Sequence, residues 1–325
     1  MDILLNILDD KKINEKITIS GSKSESNRLL ILQNRMQNRP IEILVNALRD
    51  LGAEITYEDK EGYPPIRIIG KKITKDKVQI NGNVSSQYIS SLLLIASKLE
   101  NGLEIELIGK ITSVPYINMT LSLLTQLGIE NTFEGNLIKV HPKKNIAKQI
   151  VVVESDWSSA SYFYSIAASL AIGSTIQLSA YKRESLQGDS CLAEIYQHFG
   201  VTTTFGDHFI TLKKEKDCNK EVLEIDLKNA PDIAQTIAVT CFSESIACNL
   251  TGLHTLKIKE TDRLVALEDE LTKLGANISV TNESLHLEKS TEIKENIAIK
   301  TYNDHRMAMA FAPLALKVPL KILDA

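Results

Sequence analysis

Four segments of the chain share one plan, and their spacing constrains the fold more than any other feature. Leu44-Val-Asn-Ala-Leu-Arg-Asp-Leu-Gly-Ala-Glu-Ile-Thr-Tyr57, Leu121-Ser-Leu-Leu-Thr-Gln-Leu-Gly-Ile-Glu-Asn-Thr-Phe133, Leu192-Ala-Glu-Ile-Tyr-Gln-His-Phe-Gly-Val-Thr-Thr-Thr-Phe205 and Leu267-Glu-Asp-Glu-Leu-Thr-Lys-Leu-Gly-Ala-Asn-Ile-Ser-Val280 each read as an amphipathic helix, a glycine and an alternating strand. The glycine fits a helix C-cap, where the left-handed conformation costs little without a side chain. These glycines, Gly52, Gly128, Gly200 and Gly275, stand 76, 72 and 75 residues apart. A period of about 75 residues is too long for a short solenoid unit and suits a small α/β module.

Within each period the remaining pieces are short strands and a second helix. Ile66 to Ile69, Val78 to Ile80, Leu103 to Ile108 and His208 to Leu212 read as strands; Ser86 to Lys98 and Ser158 to Leu170 are the clearest second helices. Leu92, Leu93, Ile95, Ala96 and Leu99 make a broad apolar face, as expected of a helix packed inside a module. The period breaks near the N-terminus. A strand over Ile17 to Ser20 and a helix over Ser24 to Gln33 open one module, and Gly52 closes a different one, which predicts that material is missing between about Gln33 and Arg35. The helix Met307 to Lys317 and strand Leu320 to Leu323 likewise lead into a module that is expected to be truncated after Ala325.

Composition excludes several classes. With 325 residues, 43% hydrophobic and 24% charged, the chain can bury a large core and is expected to form two domains. A net charge of -4 and a pI near 5.9 argue against a general nucleic-acid surface, so anion binding must come from a local cluster. The four cysteines and six histidines show no metal-ligand spacing, so no metal is expected and the thiols read as reduced in a cytoplasmic protein. No apolar run approaches a membrane span, and Ile3 to Leu8 is too short for a signal peptide.

The chemistry gathers at predicted helix starts, where unpaired backbone N–H groups and the helix dipole favour anions. Gly21-Ser-Lys-Ser-Glu-Ser-Asn-Arg28 follows a strand and offers Lys23 and Arg28; Arg35-Met-Gln-Asn-Arg-Pro40 adds two guanidinium groups. Val84-Ser-Ser-Gln-Tyr88 and Ser113-Val-Pro-Tyr116 place hydroxyls, an amide and a phenol, and each also reads as simple helix capping. Pro231-Asp232 is ordinary helix-start chemistry. In Lys259-Glu-Thr-Asp-Arg263 the two cations are four apart and would repel on a helix surface, so a bound anion accounts for them better, with Glu260 a candidate proton carrier. Asn303-Asp-His-Arg306 opens a helix that is nearly all apolar, so its polar start must face a partner or water.

Together these segments closely resemble the 5-enolpyruvylshikimate-3-phosphate synthase family of enolpyruvyl transferases. Gly21-Ser-Lys-Ser-x-Ser-Asn-Arg28, Arg35-Met-x-x-Arg-Pro40, Ser85-Ser-Gln87, Ser158-Ser-Ala-Ser-Tyr162, Gln187-Gly-Asp189, Lys259-Glu-Thr-Asp-Arg263 and Tyr302-Asn-Asp-His-Arg-Met-Ala308 occur in the family's order across essentially the whole chain. The resemblance implies an α/β fold of two domains, an inside-out α/β barrel built from repeated β-α-β-α-β-β modules, with substrates in the cleft between them. One domain is expected over residues 21–153 and the other over residues 1–20 and 154–325. The sequence departs from the family at Thr255, where an Asn is usual; the glycine-rich Gly-Asn-Ala-Gly-Thr-Ala-Met-Arg loop and a C-terminal lysine do not occur in it.

The resemblance further implies that shikimate 3-phosphate is held by Lys23, Ser24, Arg28, Ser85, Ser86, Gln87, Ser113, Tyr116, Ser158, Asp232 and Lys259, and phosphoenolpyruvate by Lys23, Arg35, Gln87, Arg263 and Arg306. Asp232, Glu260 and Lys23 are the implied proton carriers, with no cofactor and a monomeric state. Two alternatives stay open: a UDP-N-acetylglucosamine enolpyruvyl transferase, which uses a reactive cysteine in a mobile loop, and a non-catalytic relative that keeps the anion site.

Overall fold

A computed structural model describes residues 3–5, 14–17, 40–111, 114–146, 153–218, 220–259 and 261–324, the first two stretches as backbone only. The chain forms two units, Met1–Gly21 with Val152–Ala325, and Ser22–Val151. Strands β1 (Ile3–Leu5) and β2 (Asn14–Ile17) belong to the first. The expected strand over Ile17 to Ser20 meets β2 only at Ile17, and residues 18–20 lie outside the described residues.

The second unit shows the module in its simplest form. After α1 (Glu42–Asp50) and the antiparallel hairpin β3 (Glu54–Tyr57) and β4 (Ile66–Ile69) come β5 (Lys77–Asn81), α2 (Ser86–Ala96), β6 (Leu103–Ile108), α3 (Val114–Gln126), β7 (Asn131–Glu134) and β8 (Leu137–Val140). In β6, Leu103, Ile105 and Leu107 are buried alternately, the period of a strand with one face on the core. Ile89, Leu92, Leu93 and Ala96 line one face of α2 and are fully buried, each large side chain contributing roughly 1.5–3 kcal/mol. The sheet order is β5-β6-β8-β7, with β5 parallel to β6 and the rest antiparallel.

The first unit repeats that order. It continues with α4 (Trp157–Ser169), β9 (Thr175–Ser179), the single turn α5 (Leu192–Ile195) between 3-10 turns Gly188–Cys191 and Tyr196–Phe199, β10 (Val201–Phe205) and β11 (Phe209–Lys214). Strand β2 pairs parallel with β9, giving β10-β11-β9-β2, so the whole second unit is inserted in sequence between the first strand of this module and its crossover helix α4. The next module is β12 (Val222–Asp226), α6 (Ala234–Ser243), β13 (Ala247–Thr251), α7 (Arg263–Lys273), β14 (Ile278–Val280) and β15 (Leu285–Leu287), in the order β12-β13-β15-β14. Last come β16 (Ile297–Lys300), α8 (His305–Phe311) and β17 (Leu320–Leu323), and β1 adds antiparallel to β17. The expected helix Met307 to Lys317 ends at Phe311 and continues as the 3-10 turn Ala312–Leu316, because Pro313 has no N–H for the α-helical bond.

The four repeat glycines all adopt positive φ, at 104°, 71°, 75° and 105° for Gly52, Gly128, Gly200 and Gly275, so each ends its helix as a left-handed residue. The crossover helices of the first unit pack on one another in repeat register. Hydroxyls of Ser161 and Thr236 meet at 2.9 Å, Thr240 donates to Ser165 at 2.8 Å, and Ser169 meets Ser243 at 3.2 Å. Every residue of α6 is buried, which explains why its sequence shows no polar face.

Candidate functional site

Crossover helices α6 and α8 pack together and α7 lies beside α6, so the first turns of all three come together. Chain direction delivers a different charged group at each. Helix α6 is entered through the 3-10 turn Pro231–Ile233, which carries Asp232. Asp262 caps α7, accepting from the Leu264 and Val265 N–H groups at 3.2 and 3.3 Å, so Arg263 is its first residue. Asp304 caps α8 in the same way, accepting from the Arg306 N–H at 2.9 Å. Lys259 lies before α7 in extended backbone, which corrects the expectation that it and Arg263 repel along one helix.

Both cations instead converge on Asp232. Arg263 Nη1 donates to Asp232 Oδ1 at 3.0 Å, Lys259 Nζ stands 3.3 Å from the same oxygen, and Arg306 Nη2 stands 3.6 Å from Oδ2. Arg306 Nη1 also donates to the Asp232 carbonyl at 3.2 Å. The other edge of Arg263 grips Asp304, with Nε to Oδ2 at 2.7 Å and Nη2 to Oδ1 at 3.4 Å, a bidentate pair that fixes the guanidinium plane. Arg263 and Asp304 are each 1% exposed and Arg306 5%, so these charges are held out of water. Burial alone would lower Arg306, but the carboxylates of Asp232, Asp189 and Asp156 outweigh it and hold the guanidinium more firmly protonated than in water. Among the described residues, Lys259, Arg263 and Arg306 gather around Asp232, and cations so gathered suit an anionic ligand.

The start of α4 is built from a second set. Asp156 caps the helix by accepting from Ser158 N–H at 2.9 Å, and the Gln187 amide bridges the Trp157 N–H and the Ser155 carbonyl. The Ser158 hydroxyl donates to Asp189 Oδ2. Its proton is therefore committed, and toward any ligand Ser158 Oγ is an acceptor only. Asp189 is buried, its Oδ1 has no hydrogen-bond partner among the described residues, and burial pushes its carboxyl up to about 6 against the Ser158 hydrogen bond.

In the second unit, Ser85 caps α2, accepting from Gln87 N–H at 3.4 Å; Ser86 and Gln87 form its first turn, and Tyr116 lies in the first turn of α3. Hydroxyls of Ser90 and Thr120 meet at 2.9 Å, so α2 and α3 start side by side. Lys23, Ser24, Arg28, Arg35, Ser113 and Glu260 lie outside the described residues.

The model of the family described as EPSP synthase (3-phosphoshikimate 1-carboxyvinyltransferase) matches residues 33–325. This chain belongs to the EPSP synthase family. It is 46% identical over 293 residues to the 3-phosphoshikimate 1-carboxyvinyltransferase of Bacteroides fragilis, covering 89% of this chain and 71% of that protein. It is 37% identical over 312 residues to the Haemophilus influenzae protein of the same name, covering 93% and 69%. The solved EPSP synthase of Acinetobacter baumannii superposes with a TM-score of 0.74 at 22% identity, over 96% of this chain and 74% of that one, which agrees with the α/β fold.

Sequence motifs of the EPSP synthase family contain Asp189, Asp304 and Tyr162, but reading them one at a time gave those residues no role. Asp304 orients Arg263 and Asp189 fixes the Ser158 proton, while burial pushes the Tyr162 phenol up to about 12 and so keeps it neutral. One signal was available in the sequence: a step of one repeat from Asp232 lands beside Asp156 in one direction and Arg306 in the other. Thr255, at the family's Asn position, lies in the 3-10 turn His254–Ile258, and its Oγ1 is buried without a hydrogen-bond partner among the described residues. Among the described residues no cluster of His, Cys, Asp and Glu could hold a metal ion, and no helix is long and apolar enough to cross a membrane.

Proposed function

We propose that the chain transfers the enolpyruvyl group of phosphoenolpyruvate to the 5-hydroxyl of shikimate 3-phosphate and releases phosphate, the step that feeds aromatic amino-acid biosynthesis, as a cytoplasmic monomer. Family membership at 46% and 37% identity supports the reaction. The observation that carries the residue roles is Asp232, held by Lys259, Arg263 and Arg306.

The chemistry asks for three things. Anionic groups of both substrates need cations, and Arg263 and Arg306 offer them to the phosphoenolpyruvate carboxylate and phosphate, together with Lys23, Arg35 and Gln87. Shikimate 3-phosphate draws on Lys23, Ser24, Arg28, Ser85, Ser86, Gln87, Ser113, Tyr116, Asp232 and Lys259, while Ser158 contributes as an acceptor. The 5-hydroxyl must then lose its proton as its oxygen adds to C2 and C3 gains a proton. Substrate anions compete for the cations around Asp232, and each one withdrawn makes that carboxylate a better acceptor for the hydroxyl proton. Glu260, with Lys23, gives the proton to C3 and takes one back as the tetrahedral adduct expels phosphate and the double bond re-forms. General acid–base help of this kind contributes roughly 10²- to 10⁴-fold. The Arg263 guanidinium, held in plane by Asp304, stabilises charge without reorganising.

The competing UDP-N-acetylglucosamine reading calls for an activated thiol. Burial pushes the Cys191 thiol up to about 12 and raises Cys241, the opposite of activation.

The test is phosphate release from phosphoenolpyruvate with shikimate 3-phosphate present. Release that depends on both substrates is expected, and its absence would sink the reading. Glu260→Gln is expected to lose roughly 10²- to 10⁴-fold in turnover while shikimate 3-phosphate binding, measured by calorimetry, stays unchanged; lost binding would contradict its role.

A further inference from the structure

Helix α7 carries Arg263 at its first position and Glu270 two turns later on the same buried side, Glu270 being 0% exposed. Glu270 reaches the segment that leads into α8 at two points. Its Oε2 accepts the Lys300 N–H at 3.2 Å and its Oε1 accepts the Tyr302 hydroxyl at 2.7 Å, while Lys273 Nζ neutralises the carboxylate from 2.6 Å. Between those grips and Asp304 the backbone takes an uncommon path. Tyr302 and Asn303 are consecutive non-glycine residues at φ 56° and 55°. Asn tolerates that region, but Tyr enters it rarely, so the surroundings must impose it. Burial and then the Glu270 hydrogen bond raise the Tyr302 phenol, which keeps it a donor at working pH.

Directly after this double left-handed turn come Asp304, which orients Arg263, and Arg306, which reaches Asp232. We propose that Glu270 is a positioning residue for the arginine pair: it holds Tyr302 and Asn303 in the turn that presents Asp304 to Arg263 and Arg306 to Asp232. It touches neither substrate. The inference rests on the reading of Arg263 and Arg306 as phosphoenolpyruvate ligands.

Steady-state kinetics of the full chain separate the two ideas, because a wild-type protein without phosphate release defeats the functional reading before Glu270 is considered. With an active wild type, Glu270→Ala is expected to raise KM for phosphoenolpyruvate about tenfold, with kcat within about threefold and the shikimate 3-phosphate Kd unchanged. Glu270→Gln, whose amide oxygen can still accept the Lys300 N–H while its amide N–H donates to the Tyr302 phenol oxygen, is expected to restore KM to within about threefold of wild type. A purely structural residue would lower the active fraction, and so kcat, without moving KM. An unchanged KM, equal losses for both substrates, or a Gln variant as impaired as Ala overturns the proposal. Should Glu270→Ala not fold, Tyr302→Phe removes one grip and keeps the ring: a selective rise of about threefold in KM for phosphoenolpyruvate is expected, and no rise overturns the proposal.

Discussion

The module from Lys77 to Val140 and the module from Val222 to Leu287 have the same strand order, yet they open their helices with opposite chemistry. In the first, Ser85 caps α2 at an exposed turn and Tyr116 starts α3 half-buried. In the second, Asp232 and Arg263 meet at 3.0 Å with the arginine almost wholly out of water. One scaffold thus supports a hydroxyl-lined start open to water and a charged start whose arginine is shielded from it. The difference teaches that the module fixes where a helix begins, while neighbouring modules decide what its first turn can afford to bury: Asp232 and Arg263 are tolerable only because α8 brings Asp304 and Arg306.

That contrast can be broken at the charged end first. Arg263→Ala leaves Asp304 and Asp232 without their main cation, so a loss of about 3–5 kcal/mol in denaturant stability is expected, along with loss of phosphate release. A change below 1 kcal/mol would show that the buried pairs are not coupled as the geometry implies.

A milder test is Asp189→Asn. Its carboxyl is raised to about 6, so the folded state takes a proton that the unfolded chain, near 3.8, does not. This group therefore penalises folding above pH 6, and the penalty is relieved as pH falls from 6 toward 4. The Asn variant should gain on the order of 2 kcal/mol at pH 7.5 in thermal melts and lose the stability rise on acidification. Equal pH profiles would remove the assignment.

The smallest effect is expected at the hydroxyl end. Ser85→Ala removes a long 3.4 Å cap, worth about 0.5 kcal/mol of stability, but should weaken shikimate 3-phosphate binding about tenfold if the hydroxyl donates to the phosphate. A stability loss with unchanged binding would reduce Ser85 to a cap.

The helices, the alternating strands and the glycine stops were legible because they follow from local periodicity and from the conformational freedom of glycine. Gly200 illustrates how firmly: a Cβ there would meet the Lys216 carbonyl oxygen at 1.8 Å. The repeat also told which helices are equivalent. Less legible was the fate of Lys259 and Arg263, which four-residue spacing set side by side on a helix although Lys259 precedes α7 in extended backbone. Nor does a local reading distinguish Glu270, wholly buried and gripping a strained turn, from its exposed neighbours on the same helix.

The sequence by itself determined the module, its period and the motifs that mark the EPSP synthase family, since each depends on residues close along the chain. Only the tertiary structure decided which charges meet. Asp232 and Arg306 are 74 residues apart and Arg263 and Asp304 are 41 apart, and their pairing exists because the repeat-equivalent helices α6 and α8 pack together with α7 beside them, burying both arginines and Asp304.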